Sequence, residues 1–536
     1  MRTLFLGSAL VILTAAACSS SNSSDGNTGG TKSNGGSAGT PVGSGGTGGS
    51  TGGSAGAHTT GGSGATGGST GGSATGATGG SGAKGGSGAT GGSATGATGG
   101  SGGKSMGTGG STGGSGATGG KSATGGAPGT GGAGMMAGAG GSGGASGGSA
   151  GASGGSAGAG DTHWVGTWGT GLQITEHSGQ QMNWPPIALA NATLRQYVHV
   201  TIGGSKLRVR VSNEYGTADV AIVGVHIAKP MSGGGIDTTS DKALTFGGMP
   251  GTTIATGKSV YTDDFDWTLS PLSDLAITIA FGNQTGEITG HPGSRTTSYM
   301  TAGNHLADAT ISANPTAHWY FIGSVDVMAP ASTSAIVILG DSITDGRGST
   351  TDGNDRWPDD LAKRLQADPK YQNIAVLNMG IGGNTVHSGG LGPTAVARFD
   401  TQVLQQPGVK WVVVLEGIND IDASTAANLI TGDFATFVTK SHGQNLKIYG
   451  IPVLPDGGNS SSTSGTEGIR SSVNTWINAA GSDTMHFDKA IPLDKTVGDT
   501  STPPKLQSMY DSGDGLHLNP AGYKAMSDAI DLTLFQ

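Results

Sequence analysis

Two short segments, far apart in the chain, hold the residue types that acyl transfer needs. Gly340-Asp341-Ser342-Ile343-Thr344-Asp345-Gly346 puts a serine directly after an apolar run, and Asp514-Gly515-Leu516-His517 supplies a carboxylate and an imidazole three residues apart. A serine hydroxyl is a poor nucleophile until a neighbouring imidazole accepts its proton during attack. Taken alone the Gly-Asp-Ser triplet is weak evidence, because a serine on a turn also serves as a helix cap. Two further segments follow apolar runs of their own: Asn378-Met379-Gly380-Ile381-Gly382-Gly383-Asn384-Thr385 and Glu416-Gly417-Ile418-Asn419-Asp420. Four such motifs, in this order and each at a strand end, are together specific.

The elements that must position them alternate. Apolar runs at 336–339, 374–377, 411–415 and 448–451 read as strands, and helical patterns lie near 358–366, 395–404, 426–440 and 468–478, with a last one after Pro520. Alternating strands and helices predict an α/β fold, a parallel sheet with helices on both faces. In such sheets ligands bind beyond the carboxyl ends of the strands, which is where the motifs fall. Between about 161 and 330 the period is two instead. Leu207, Val209 and Val211 follow a Gly203-Gly204 turn, and Leu275, Ile277, Ile279 and Phe281 alternate again. That region reads as antiparallel β, a β-sandwich.

From 334 to the end the sequence resembles the SGNH or GDSL hydrolase family, whose four blocks supply Ser, Gly, Asn and His. The wider stretch from Trp164, with Arg210-Val211-Ser212-Asn213-Glu214-Tyr215-Gly216 and the segment 340–350, is similar to a subgroup that includes xylan esterase-like proteins. The resemblance implies a flavodoxin-like sheet and a catalytic triad of Ser342, His517 and Asp514. His517 would be the general base, and Asp514 would accept a hydrogen bond from the other ring nitrogen. It also implies an oxyanion hole built from the Ser342 and Gly383 backbone N–H groups and the Asn419 amide. Gly382 stands as the alternative to Gly383 if the block is aligned one residue differently.

Other polar residues near the motifs have plainer readings. Asp341 and Asp345 flank the serine as caps or turn acceptors. Asp511 rivals Asp514, but only Asp514 has the family spacing to His517. His387, His442 and His486 read as surface or structural residues. Asp352, Asn354 and Asp355 fall short of a calcium-loop spacing and read as a solvated turn. The mechanism calls for no metal and no cofactor.

The first 160 residues stand apart. Arg2, an apolar run at 4–13 and Ala15-Ala16-Ala17 before Cys18 read as a bacterial export signal over 1–18. Cys18 is the only cysteine in the 536 residues, so no intramolecular disulfide can form. Its position resembles the lipid-modified cysteine of bacterial lipoproteins, although Ala15 stands where Leu is usual; simple secretion after cleavage at the alanines is the alternative. Residues 19–160 repeat Thr-Gly-Gly, Gly-Gly-Ser and Ala-Thr-Gly units and hold much of the chain's 107 glycines. Such a segment is too apolar-poor to fold, and as a disordered tether it would span roughly 65 Å. The organisation read from sequence is thus 1–18 signal, 19–160 tether, 161–330 β-sandwich and 331–536 hydrolase region.

With a net charge of −9, nothing in the sequence points to a nucleic-acid binder. The expectation is an extracellular serine esterase, exported as a cell-surface lipoprotein or secreted, that acts on acylated polysaccharide such as acetylated xylan or on a small ester. Membrane contact would run only through Cys18. A GDSL lipase, lysophospholipase or general short-chain esterase is the alternative enzyme, and a non-catalytic polysaccharide-binding protein the alternative outside catalysis.

Overall fold

A computed structural model describes residues 161–175 and 185–536. The export segment, Cys18 and the 19–160 tether lie outside the described residues.

Five parallel strands form the sheet that carries the serine, glycine and asparagine motifs, and Asp514–His517 lies in the loop before the last α-helix. In spatial order they are Ile374–Gly380, Ser334–Gly340, Val409–Leu415, Lys447–Gly450 and Lys489–Ala490. In chain order this is 2-1-3-4-5, the flavodoxin-like order, and the site crevice opens where the winding reverses beside the first strand. The expected strands are present, three with longer bounds and the one expected at 448–451 shifted by one residue, and the fifth, two residues long, left no readable pattern. The expected helices appear as Trp357–Ala367, Ala427–His442, Ser464–Asn478 and Pro520–Ala529. The stretch expected as one helix near 395–404 is a short α-helix, Ala395–Arg398, that passes into a π-helical turn, Phe399–Leu404.

The four longer strands of this sheet bury both faces, which explains their apolar runs. Ile336, Ile338, Val376 and Val413 pack with Trp357, Leu361, Tyr523 and Met526 of two helices. On the other face Val337, Leu377 and Val414 share one core with Phe399, Phe434 and Phe437. That second face is also met by a strand of the β region, Thr162–Gly169, because a Cβ at Gly166 would stand 2.8 Å from the Leu377 side chain. Just beyond it, a Cβ at Gly171 would stand 2.9 Å from the Gly380 carbonyl.

The β region holds antiparallel sheets of five, six and three strands. Leu207, Val209 and Val211 are fully buried on the strand Gly204–Asn213 of the five-stranded sheet, and Gly203-Gly204 brings the chain there from Ala192–His199 of the six-stranded one. Side chains of both sheets, Val209 and Val325 with Ile227 and Ile279, enter the same core as Val337 and Leu377. One apolar core is therefore continuous from the β region into the parallel sheet.

Candidate active site

The strand Ser334–Gly340 ends under the serine, and the turn Ser342–Asp345 starts a helix there because Asp341 caps it. The Asp341 carboxylate accepts from the Ile343 N–H at 2.9 Å, and Gly346 closes the turn at φ +99°, a conformation glycine adopts without strain. Burial, with the nearby Asp420 charge adding to it against the Ile343 hydrogen bond, pushes the Asp341 carboxyl up to about 7. The structure thus gives Asp341 the capping role read from sequence.

Ser342 Oγ lies 2.8 Å from His517 Nε2, and His517 Nδ1 lies 2.7 Å from Asp514 Oδ2. The other carboxylate oxygen, Asp514 Oδ1, accepts from the His517 N–H at 2.8 Å and the Leu516 N–H at 3.1 Å. Burial raises the Asp514 carboxyl, but the hydrogen bonds from the His517 ring and backbone outweigh it and hold the group well below the usual carboxylate range. An ionised Asp514 fixes the ring proton on Nδ1 and leaves the Nε2 lone pair facing the serine hydroxyl, the arrangement a general base requires. Ser342 and His517 are 7% and 4% exposed, so the hydrogen bond between them is shielded from bulk water. Asp511, the rival carboxylate, is turned away and accepts from the Gly513 and Gly515 N–H groups at 2.8 and 3.0 Å.

The glycine block follows Ile374–Gly380 and folds back under Leu391, whose N–H donates to the Gly383 carbonyl at 2.8 Å. Gly383 has φ +71°, and a Cβ there would stand 2.8 Å from the Leu391 side chain. Gly382 lacks the positive φ and has room to 3.4 Å. Asn419 lies at the start of the turn Ile418–Asp422, and one of its two amide hydrogens is donated to the Asn384 carbonyl at 2.7 Å, which leaves the second for a ligand. Asp420 accepts from the Val386 and His387 N–H groups at 2.7 and 2.9 Å and so ties the glycine block to the asparagine block.

The remaining candidates do structural work. His387, His442 and His486 pair with Asp433, Asp488 and Asp483. Asp352 accepts from Thr297, and Asp355 from the Thr350 N–H. Asp345 meets a residue that sequence reasoning missed: buried His291, in the β strand Thr289–Pro292, joins Asp345 Oδ1 to the Gly171 carbonyl at 2.8 and 2.7 Å. In the segment 210–216, Arg210 pairs with Glu214, and the Tyr215 hydroxyl accepts from Gln402 at 2.8 Å, which ties it to the π-helical turn. Arg398 was also missed; it lies fully buried against Glu416 at 3.3 Å. Glu416 was the available signal, since a carboxylate at the end of a buried strand calls for a cation.

A serine, imidazole and carboxylate joined by short hydrogen bonds at the switch point of a 2-1-3-4-5 parallel sheet have the arrangement of a serine hydrolase. Residues 338–525 match the model of the GDSL-like Lipase/Acylhydrolase family, and by that domain the chain is a carboxylic ester hydrolase. No curated protein matches the chain. Among solved structures it is similar to a GDSL-like lipase from Bacteroides thetaiotaomicron (19% identity, 38% of this chain and 87% of that one, TM-score 0.29). It is also similar to a member of the lipolytic G-D-S-L family from Veillonella parvula (18%, 38% and 98%, TM-score 0.29). An acetyl xylan esterase aligns at 19% identity over 36% of this chain and 96% of that one, with a TM-score of 0.29.

Proposed function

We propose that this chain is an exported serine esterase that removes O-acyl groups, acetyl foremost, from polysaccharide through an acyl-enzyme on Ser342. The observation that carries the reaction is the pair of hydrogen bonds that runs from Ser342 Oγ through both His517 nitrogens to Asp514, at 2.8 and 2.7 Å. Ser342 Oγ adds to the ester carbonyl as its proton passes to His517 Nε2, and the imidazolium is stabilised by Asp514. The tetrahedral oxyanion is held by the Ser342 and Gly383 N–H groups and by the free hydrogen of the Asn419 amide, each donor contributing a few kcal/mol. His517 then gives its proton to the departing alcohol. Water, deprotonated by the same nitrogen, attacks the acyl-enzyme and releases the acid.

The preference for a polymer rests on the export signal and the 19–160 glycine-rich segment, which would hold the enzyme on a leash from a lipid at Cys18 and let it range over an insoluble substrate. A second reading, a short-chain esterase or lipase, draws on Leu391, which is 56% exposed beside Gly383 and offers an apolar contact to an acyl chain. The test is acetate release from acetylated xylan beside turnover of p-nitrophenyl esters of increasing chain length, for the parent and Ser342→Ala. Acetate release abolished in Ser342→Ala supports the polysaccharide reading. Turnover of aryl esters alone favours the second. Activity that survives Ser342→Ala overturns the mechanism.

A further inference from the structure

We propose that Arg398 is the positioning residue of the oxyanion side, a buried fork that sets the three strand ends carrying Ser342, Gly383 and Asn419 in register. This rests on the acyl-transfer reading above. The guanidinium is fully buried and directs donors to four acceptors. Nη2 donates to the Gly340 carbonyl at 3.0 Å, two residues before Ser342, and to Glu416 Oε1 at 3.3 Å, three residues before Asn419. Nη1 donates to the Met379 carbonyl at the end of the strand that leads to Gly383. Nε donates to Asn384 Oδ1 at 3.0 Å. One planar group therefore touches the strand end of each block that supplies an oxyanion donor.

Asn384 carries this order to the donors themselves. Its side-chain N–H groups hold the Leu391 and Pro393 carbonyls at 2.9 and 2.8 Å, closing the loop over Gly383, and its own carbonyl receives the Asn419 amide at 2.7 Å. Arg398 thus orients Asn384, and Asn384 orients both Gly383 and Asn419. Only arginine suits the position: its fixed fork reaches acceptors in several directions, where a lysine ammonium on a flexible stem would satisfy one or two. Glu416, whose second oxygen has no hydrogen-bond partner, balances the charge in a place closed to water.

Positioning should be felt in the transition state and not in substrate binding, since displacement of catalytic groups by about 1 Å can cost about 10²-fold in rate. The variants are Arg398→Lys, the double variant Arg398→Met/Glu416→Gln, which leaves no buried charge from the pair, and Asn384→Ala, which keeps the ion pair and removes only the relay. Each is assayed well below its own Tm with p-nitrophenyl acetate and with an alkylboronic acid, which forms a tetrahedral adduct on the serine. Expected are a roughly tenfold kcat loss for Arg398→Lys and about 10²-fold for the other two, with KM nearly constant. Boronate affinity should fall in parallel with kcat/KM. Wild-type kcat and boronate affinity in folded Arg398→Lys or the double variant overturn the proposal. The same result in Asn384→Ala overturns it whether or not the Arg398 variants fold. Ser342→Ala runs alongside: if it still turns over ester, the site reading itself has failed, independently of Arg398.

Discussion

The two oxygens of Asp514 have different partners, and this predicts an inverted order for two substitutions. Oδ1 accepts two backbone N–H groups and Oδ2 accepts the His517 ring N–H. An asparagine has one oxygen. In Asp514→Asn that oxygen satisfies the two backbone donors, so the amide NH₂ faces Nδ1 and drives the ring proton onto Nε2, where it points at Ser342 and cannot accept the serine proton. Asp514→Ala leaves the ring free to choose its tautomer.

Both variants lose the charge that stabilises the imidazolium. Opposite charges about 4 Å apart interact by about 4 kcal/mol at an effective dielectric of about 20. With the Asp514 side chain 37% exposed, solvent screening reduces this to about 2 kcal/mol, roughly 30-fold in kcat. Asparagine adds the cost of restoring the productive tautomer, about 1–2 kcal/mol if it matches one lost hydrogen bond. The expected kcat losses are therefore roughly 30-fold for Asp514→Ala and about 10²–10³-fold for Asp514→Asn. Asp511→Asn, whose single oxygen can still accept from Gly513 and Gly515, should stay within about threefold, the effect of a change under about 0.7 kcal/mol. Initial rates on p-nitrophenyl acetate at saturation, in mildly alkaline buffer, measure all three. An asparagine variant more active than the alanine variant, or an Asp511 variant as impaired as either, would refute the reasoning.

Gly383→Ala forces a side chain onto φ +71° and into Leu391, so kcat should fall by at least tenfold, about 1.4 kcal/mol of backbone strain and displacement, while Gly382→Ala costs less; steady-state kinetics of both decide between the two glycines. Asp341 keeps its proton in the fold up to about pH 7, whereas an unfolded aspartate loses it near pH 4. Its contribution is therefore most favourable below about pH 4 and declines as pH rises to about 7; Asp341→Asn should flatten that part of the Tm–pH curve, and an unchanged slope would count against the assignment. His291→Ala removes the ring that bridges Asp345 Oδ1 and the Gly171 carbonyl, and the loss of these buried hydrogen bonds, at about 1–3 kcal/mol for an acceptor left unpaired, should lower Tm by several degrees in calorimetry; an unchanged Tm would mean the contact contributes nothing.

How legible these parts were in the sequence follows from how local their signals are. Ser342, Asn419 and His517 each sit within a short motif beside a strand or helix whose apolar periodicity identifies it. Asp514 was separable from Asp511 only through the family resemblance, whose three-residue spacing to the histidine Asp514 alone has. Gly382 and Gly383 could not be separated, because the sign of φ is set by Leu391 folding back over the loop, a contact that no spacing encodes. Arg398 left no signal of its own: three of its four acceptors are main-chain or amide oxygens, and a backbone carbonyl has no sequence identity. The helix expected over 395–404 widens to a π-helical turn directly after Arg398, another tertiary effect on a pattern that periodicity alone reads as regular.

The packing of the β region bears on how far it can be separated from the chemistry. The strand Thr162–Gly169 lies on the parallel sheet through glycines, and Gly171 runs beside the Gly380 carbonyl at the root of the glycine block. Cutting the chain near 330 would expose Leu377 and Met379, both fully buried, and would remove His291 from Asp345, three residues after Ser342. The turn that carries Ser342 is thus braced from two sides, by Arg398 through the Gly340 carbonyl and by His291 through Asp345. Both braces act on backbone or carboxylate oxygens beneath the turn and leave the serine hydroxyl to His517 alone, which lets the fold be rigid at the site without competing for the proton that moves.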